Sequence, residues 1–421
     1  LSAYFHFYLC GRKAAEWLIN MKNRNGYLAL GYACNEKCRC CPLVGKDDRE
    51  KYYPVEQLLD EAKKMLSYGV TDVTLSGGEP TLHPDFFSII EFFHQNGIGV
   101  HVLSNGERFS NHEFADEFIK HVKEGVLTVT TTFHSMDASM HEYQNGTPGS
   151  FQRSLSGIQY LDKNNINVSI KHCITADSYR YLPTYIQFVI KTFSPNAEIQ
   201  LWGIDLNGIS YELANKSFVA FSEIGGYLQK AIDLFEASER YEHQVLTINN
   251  LPLCMCDSYY WQYFSSPYQD VYVDVELEGK DMKPNSGPIS SNCKKCPFRR
   301  YCMGAYHSNF EYFGNDIVSV PEKESCVCNL NRRYQFYSNE TIGNLLFSPY
   351  TNHSFNPDGY TVTNYLTNNT IHLRLKTEQL LSLQEWLTNG IHPEMLIANL
   401  SAFGLNGVEF VNDWIRKGII E

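Results

Sequence analysis

The chain carries no long apolar run, no basic lead-in of the kind that precedes an export signal, and too few basic residues to balance its acids. Each shortage removes a class of function. Nowhere in its 421 residues does the sequence approach the roughly 20 consecutive apolar positions that a spanning helix needs. The most apolar opening, residues 1–10 (LSAYFHFYLC), is broken by Ser2 and His6 and has no basic residue ahead of it, so it lacks a signal-peptide layout. The first residue is Leu1 rather than Met, which is what a piece of a longer chain would give. Lys plus Arg total 35 against 47 Asp plus Glu, a formal charge of −12, whereas a partner with a phosphate backbone calls for a basic surface. Internal repeats and low-complexity tracts are missing too. The 13 cysteines do not pair off evenly, and 43% hydrophobic content already provides for a core, so a disulfide framework is not expected. A thiol-rich chain without an export address is expected in a reducing cytoplasm, with no membrane and no nucleic acid among its partners.

What is present is an alternation. At about 150 residues per domain the length suggests two to three domains. Short β-rich runs at 27–34, 72–79, 99–106, 126–135, 167–175 and 197–204 alternate with amphipathic stretches at 54–69, 84–97, 112–125, 151–164 and 181–193. Six strands alternating with helices imply an α/β fold with a parallel sheet and right-handed crossovers, curved or closed as a partial (β/α)6 TIM-type barrel. Chemistry in such folds gathers at the carboxyl ends of the strands, where Cys34, Glu79, Asn105 and Ser135 fall. A helical stretch (218–239) follows, then a cysteine-rich region from about 251 to 330 with a loop-like piece at 279–292. The tail from 331 on has no cysteine.

Residues 34–41 read CNEKCRCC, containing Cys34-x3-Cys38-x2-Cys41. Three thiolates on one tight loop can hold three irons of a [4Fe–4S] cube and leave the fourth open to a substrate or cofactor. The alternative is a structural zinc loop with Cys40 as fourth ligand, but four ligands crowded into so short a segment make poor tetrahedral geometry. Together with LSGGEPTLHPDF (75–86) after the second strand, this loop resembles the radical S-adenosylmethionine (radical SAM) superfamily. The resemblance implies that Cys34, Cys38 and Cys41 bind the cluster, that the open iron is chelated by SAM, and that Gly77, Gly78 and Glu79 bind its methionyl amine. Two glycines permit close backbone approach, and a carboxylate suits an amine. The residue before the last cysteine is commonly aromatic in that family; here it is Cys40, read as a non-ligand neighbour. Ser104 and Asn105 resemble the polar strand-three end that contacts SAM, and Ser135 and Lys171 lie where the family places ribose or carboxylate contacts. His134 and His141 are read as loop histidines that could also act as ligands or bases.

The second region reads Cys293-x2-Cys296-x5-Cys302, with Cys254-x-Cys256 upstream and Cys326-x-Cys328 downstream, which makes it a metal region. Zinc held by four cysteines is an alternative to iron, since C-x2-C pairs serve both. The core spacing resembles the SPASM or twitch auxiliary-cluster extensions of radical SAM enzymes. In the full seven-cysteine version another Cys stands four residues after the third, and here that position is Tyr306. One auxiliary [4Fe–4S] cluster is therefore expected on Cys293, Cys296 and Cys302, its fourth ligand Cys254 or one of Cys326 and Cys328. A second cluster from the two C-x-C pairs, Cys256 included, stays open.

Residues 141–161, 201–208 and 251–304 are similar to the radical SAM maturases of His-Xaa-Ser peptide systems. The tail has β-like runs (NLLFSPY, YTVTNYLT, TIHLRLK) before helical stretches at 377–390, 392–404 and 407–421. It resembles the winged-helix, PqqD-like recognition element that adds a precursor's leader peptide as an extra strand; a generic winged-helix or dimerisation domain is the alternative. Glu409 and Asp413 beside Arg416 and Lys417 make the last helix a poor DNA-reading face. The expected organisation is an N-terminal extension (1–26), the barrel (27–240), the cluster region (241–330) and the recognition domain (331–421). The resemblance implies a 5′-deoxyadenosyl radical that oxidatively cross-links a ribosomal precursor peptide, with electrons from a flavodoxin or ferredoxin. A radical SAM enzyme of cofactor synthesis acting on a small metabolite, and a zinc-binding scaffold or regulator, are the rival readings.

Overall fold

The computed structural model describes residues 24–42, 50–67, 70–122, 126–209, 211–241, 244–265, 271–274, 286–296, 298–299, 302–321, 345, 347, 351–356, 359–364, 369–417 and 419–420. Its centre is one parallel sheet of β1 (Arg24–Ala29), β2 (Asp72–Ser76), β3 (Gly99–Ser104), β4 (Val126–Thr132), β5 (Val168–Cys173), β6 (Glu198–Trp202), β7 (Leu246–Asn249) and β8 (Val271–Asp274). The order is β7-β6-β5-β4-β3-β2-β1-β8. From β1 to β7 sequence neighbours are sheet neighbours with no reversal. Doubly wound sheets reverse their order at a switch point, so this unbroken order marks a barrel type of winding, here a partial TIM barrel.

The crossover helices form because their apolar residues recur on one face. Val55–Ser67 buries Leu58, Ala62 and Met65, and Leu182–Thr192 starts on a proline in its first turn and buries Tyr185, Ile186 and Val189. With Val73 and Leu75 of β2 and Val100 and Val102 of β3 they make one continuous core. Each fully buried Val, Leu or Ile contributes about 1.5–3 kcal/mol. The core locks the strand register, and with it the height at which each strand delivers its last residue.

Six strands were expected and eight are present. β7 and β8 were read as part of the cysteine-rich region; β7 is only four residues long and offers too short an alternation to register as a strand. The helices Ala138–Asn145 and Tyr211–Ser217 were not anticipated either. Beyond the barrel, β9 (Ser286–Gly287) pairs antiparallel with β10 (Ala305–Tyr306), flanked by helices Ser291–Lys295 and His307–Phe313. Cys10, Cys326, Cys328 and residues 1–23 of the expected extension lie outside the described residues.

The tail forms a meander of β11 (Thr351–Asn356), β12 (Gly359–Asn364) and β13 (Asn369–Leu373), followed by helices Thr377–Asn389, Pro393–Ala402 and Gly407–Arg416. It has its own core, centred on Val362, Leu383, Leu387, Leu396, Leu400 and Trp414. Of the run NLLFSPY only Leu345 and Phe347 are among the described residues; they make single bridges to Ile391 and Ile420. Among the described residues no helix is long and apolar enough to cross a membrane.

Candidate functional site

A cleft of about 220 Å³ opens at the carboxyl ends of the strands. Cys34, Cys38, Cys40 and Cys41 line it from the loop after β1, and Ser76 to Glu79 from the end of β2. Ser104 and Asn105 follow from β3, Thr130, Thr132 and His134 from β4, and Lys171 and Cys173 from β5.

The first two loops interlock through their backbones. The Gly78 amide donates to the Gly31 carbonyl (2.9 Å) and the Glu79 amide to that of Ala33 (2.8 Å). Gly77 has φ +113°, and a Cβ there would stand 2.2 Å from the Gly31 oxygen; at Gly78 it would stand 2.1 Å from the Ala33 oxygen. Both glycines are thus required where the β2 loop lies against the cysteine loop, a demand distinct from the ligand approach expected of them.

Glu79 is buried. Its Oε1 accepts from the Thr81 amide (3.1 Å), the Thr81 hydroxyl (2.6 Å) and the Ser104 hydroxyl (2.8 Å), and its Oε2 from the Asn105 amide (2.7 Å). Burial raises its carboxyl pKa, and the four donors act against that rise. Oε2, with one donor, retains acceptor capacity toward the cleft for an ammonium. Asn105 is committed to the protein: Nδ2 donates to Asn35 Oδ1 (2.8 Å) and Oδ1 accepts from the Glu107 amide (3.1 Å). It ties the cysteine loop to β3.

Lys171 Nζ stands 4.1 Å from the centre of the Trp202 ring, a cation–π contact that leaves its hydrogens available to an anion. Ser135 is not among the residues lining the cleft; its hydroxyl accepts from the Asp137 amide (3.1 Å) just before helix Ala138–Asn145. Thr130, Thr132 and His134, alternate residues at the end of β4, take that place. They were missed, except His134, although period-two alternation from a strand end would have picked them out.

Burial pushes the Cys34 thiol up to about 12 and Cys38 well above the ordinary range. Glu36 Oε2 lies 3.2 Å from Cys38 Sγ, and His134 offers a ring nitrogen within 4.8 Å of both groups. Burial and the neighbouring His141 and His172 hold His134 neutral, its pKa lowered to about 3. Cys40, also on the cleft wall, is engaged by a neighbour: its thiol donates to Cys173, and this bond together with the Lys171 charge lowers Cys173 to about 6. Cys34, Cys38 and Cys41 share one cleft, and half-buried thiols of this kind suit a metal centre, whose charge replaces their protons.

A second group of thiols gathers beyond β7. Cys254 and Cys302 are each raised by burial, with the charges of Cys293 and, for Cys254, Cys296 adding to the rise. Ser290 caps the short helix bearing Cys293 (3.1 Å), and Cys302 Sγ accepts from the Leu253 (3.4 Å) and Gly304 (3.3 Å) amides. Cys256 faces the Gly225 carbonyl at 3.9 Å instead. Tyr306 donates nothing to this group; its hydroxyl accepts from Asn250 (2.6 Å). None of the ten described cysteines is in a disulfide.

Comparison with known proteins bears on the first site. Residues 28–177 match the family model described as the Radical SAM superfamily. The chain is 26% identical over 227 residues to a probable GTP 3′,8-cyclase of Sulfurisphaera tokodaii, covering 53% of this chain and 69% of that protein. It is 25% identical over 233 residues to the sporulation killing factor maturation protein SkfB of Bacillus subtilis, covering 48% of this chain and just over half, 56%, of SkfB. The fold is similar to that of Streptococcus suis SuiB, with a TM-score of 0.51 at 11% identity over 73% of this chain and 79% of that one. The matched segment contains the cysteine loop, the Gly-Gly-Glu turn and the polar ends of β3 and β4. Residues 28–177 therefore form a radical SAM domain, and the chain is a radical SAM enzyme, one that works with S-adenosylmethionine and a [4Fe–4S] cluster.

Proposed function

We propose that this enzyme modifies a ribosomally made precursor peptide, forming an oxidative cross-link, and that the tail is its peptide-recognition element. The observation that carries this reading is the tail's architecture. Among the described residues β12 is the middle strand of a three-stranded sheet, and β11 and β13 are its outer strands. An extended peptide adds to an outer strand by main-chain hydrogen bonds, and side-chain pockets supply selectivity. The name of SkfB, a maturation protein, agrees with it.

Cys34, Cys38 and Cys41 would hold the cluster, and Glu79, Ser104 and Lys171 would orient SAM beside it. When bound, the cluster supplies the electron that cleaves SAM to methionine and a 5′-deoxyadenosyl radical capable of taking hydrogen from an unactivated carbon. The chain's own task is to place one carbon of the peptide and to exclude water. Glu79 Oε2 would receive the methionyl ammonium, the Lys171 ammonium a carboxylate. Cys254, Cys293, Cys296 and Cys302 would hold one auxiliary [4Fe–4S] cluster, an acceptor for the electron that an oxidative cross-link releases; zinc at the same thiols would leave that electron without an acceptor. A flavodoxin or ferredoxin would be the electron donor.

The test is co-expression with the small open reading frame adjacent to the gene, followed by mass spectrometry. A peptide lighter by two hydrogens per cross-link, formed by the full chain and not by a chain lacking 331–421, is expected. The similarity to a GTP 3′,8-cyclase favours a small metabolite as the second reading. In that case the shortened enzyme keeps its activity, and the precursor peptide binds neither form.

A further inference from the structure

The loop that carries the first three cysteines is held from behind by helix Ala138–Asn145. The last carbonyls of a helix have no partner within it. Here the Lys37 amide donates to the Asn145 carbonyl (2.9 Å) and the Arg39 amide to the Gln144 carbonyl (2.8 Å). Gly146 completes the corner at φ +66°, where a Cβ would stand 2.8 Å from the Lys37 oxygen. Asn145 is fully buried. Its Nδ2 donates to Glu36 Oε1 (2.7 Å), and its Oδ1 receives the Thr147 amide (3.1 Å). Nδ2 and Oδ1 both lie within hydrogen-bond reach of the Ser150 hydroxyl, at 2.7 and 3.1 Å. The other oxygen of Glu36 lies 3.2 Å from Cys38 Sγ. A continuous path runs from Asn145 through one carboxyl group to a sulfur of the cluster-binding loop.

We propose that Asn145 is a positioning residue for the iron–sulfur site: through Glu36 it fixes what faces the Cys38 sulfur, and with Gln144 it clamps the loop on which that sulfur rides. Loss of a group that orients or hydrogen-bonds a metal ligand typically costs about 10–100-fold in metal affinity or activity. For iron–sulfur clusters the levers are nearby charge, hydrogen bonds to the sulfurs and solvent access. A carboxyl group at this sulfur works through one of the first two, charge when ionised or a donated hydrogen bond when protonated, and Asn145 decides where Glu36 points. Glu36 is itself enclosed. Glu107 faces it, and Glu107 is in turn held by Arg153 (2.5 Å) and by Asn35 Nδ2 (3.0 Å). Loss of the Asn145 bond would therefore let the carboxyl swing away from Cys38 while the rest of the packing stays.

The test uses the full chain, reconstituted anaerobically, with iron content, the electron paramagnetic resonance of the reduced first cluster and its midpoint potential as readouts. Asn145→Ala and Glu36→Ala should each retain iron and shift both the g-values and the potential. Because the two residues act along one path, the double variant should reproduce the Glu36→Ala shift rather than the sum. An iron-loaded Asn145→Ala protein with wild-type spectrum and potential overturns the proposal, as does additivity in the double variant. Should Asn145→Ala fail to hold iron, Glu36→Ala decides alone, since it leaves the main-chain clamp intact: a shifted potential supports the path to Cys38 and an unshifted one refutes it.

Discussion

Close to the cleft, several polar side chains are kept in one protonation state by their surroundings. His172, at the end of β5, is buried; its Nδ1 faces the Phe133 carbonyl (3.2 Å) and its Nε2 the Ser178 hydroxyl (3.1 Å). A carbonyl only accepts, so Nδ1 carries the proton and Nε2 accepts from Ser178, which satisfies the neutral ring completely. Burial lowers its pKa to about 4. An unfolded chain would titrate near 6.5, so between pH 6.5 and 4 the unfolded state binds more protons than the folded one, and stability falls as pH falls through that window. From pH 7.5 to 5 this group should cost about 2 kcal/mol. Denaturant unfolding of wild type and His172→Asn at both pH values checks it: the variant's loss on acidification should be smaller by about that amount. Equal losses would mean that the ring is not held neutral in the fold. From sequence alone His172 was invisible, because a histidine in a β-rich run gives no sign of which neighbours its two nitrogens will meet.

Between elements, the decisive contact is the one that joins the loops after β1 and β2. Adding a Cβ at Gly78 would drive it into the Ala33 oxygen, a backbone atom that moves only with the cysteine loop. Gly78→Ala should therefore lower iron content and weaken SAM binding at least about tenfold, a factor worth 1.4 kcal/mol. Gly226→Ala, in a helix with open space at that position, serves as the control and should bind SAM as wild type does. Equilibrium dialysis with labelled SAM reads both; normal binding by the Gly78 variant would sink the interlocking account. The sequence announced this pair of loops because cysteine spacing and a Gly-Gly-Glu turn are rare and local. It was less informative about where strands stop. Runs read as 27–34, 72–79 and 126–135 are strands only over Arg24–Ala29, Asp72–Ser76 and Val126–Thr132. Their last residues leave the sheet to build the cleft, and propensity cannot distinguish a strand's end from the site it supports. Helix Ala138–Asn145 escaped notice for a related reason: it is eight residues long and mostly polar, with too little apolar periodicity to register. The polar run TNHSFN of β11 gave no strand signal, since it lacks the apolar/polar alternation of a half-buried strand; among the described residues it pairs with β12.

For the molecule as a whole, the two largest hydrophobic cores among the described residues share no residue, which implies two units of unequal stability. The larger core runs through the barrel and the second thiol region, from Leu28 to Val318. The smaller is confined to Leu345–Ile420. A unit of such size buries a smaller fraction of its surface and has less stability to draw on. Calorimetry of the full, iron-loaded chain should therefore show two transitions, the lower belonging to the tail. Removal of 331–421 should abolish the lower transition and leave both the upper one and the iron content unchanged. A ligand that binds only the folded tail raises only the tail's transition, by RT ln(1 + [L]/Kd), about 2.7 kcal/mol at a hundredfold excess over Kd. Addition of the precursor peptide should accordingly raise the lower transition and not the upper, whereas SAM should raise the upper and not the lower. If the peptide shifts only the upper transition, the tail is not its recognition element and the barrel alone receives the substrate; if the chain melts in a single step that both ligands raise together, the two cores fold as one unit and the division by function fails with the division by stability.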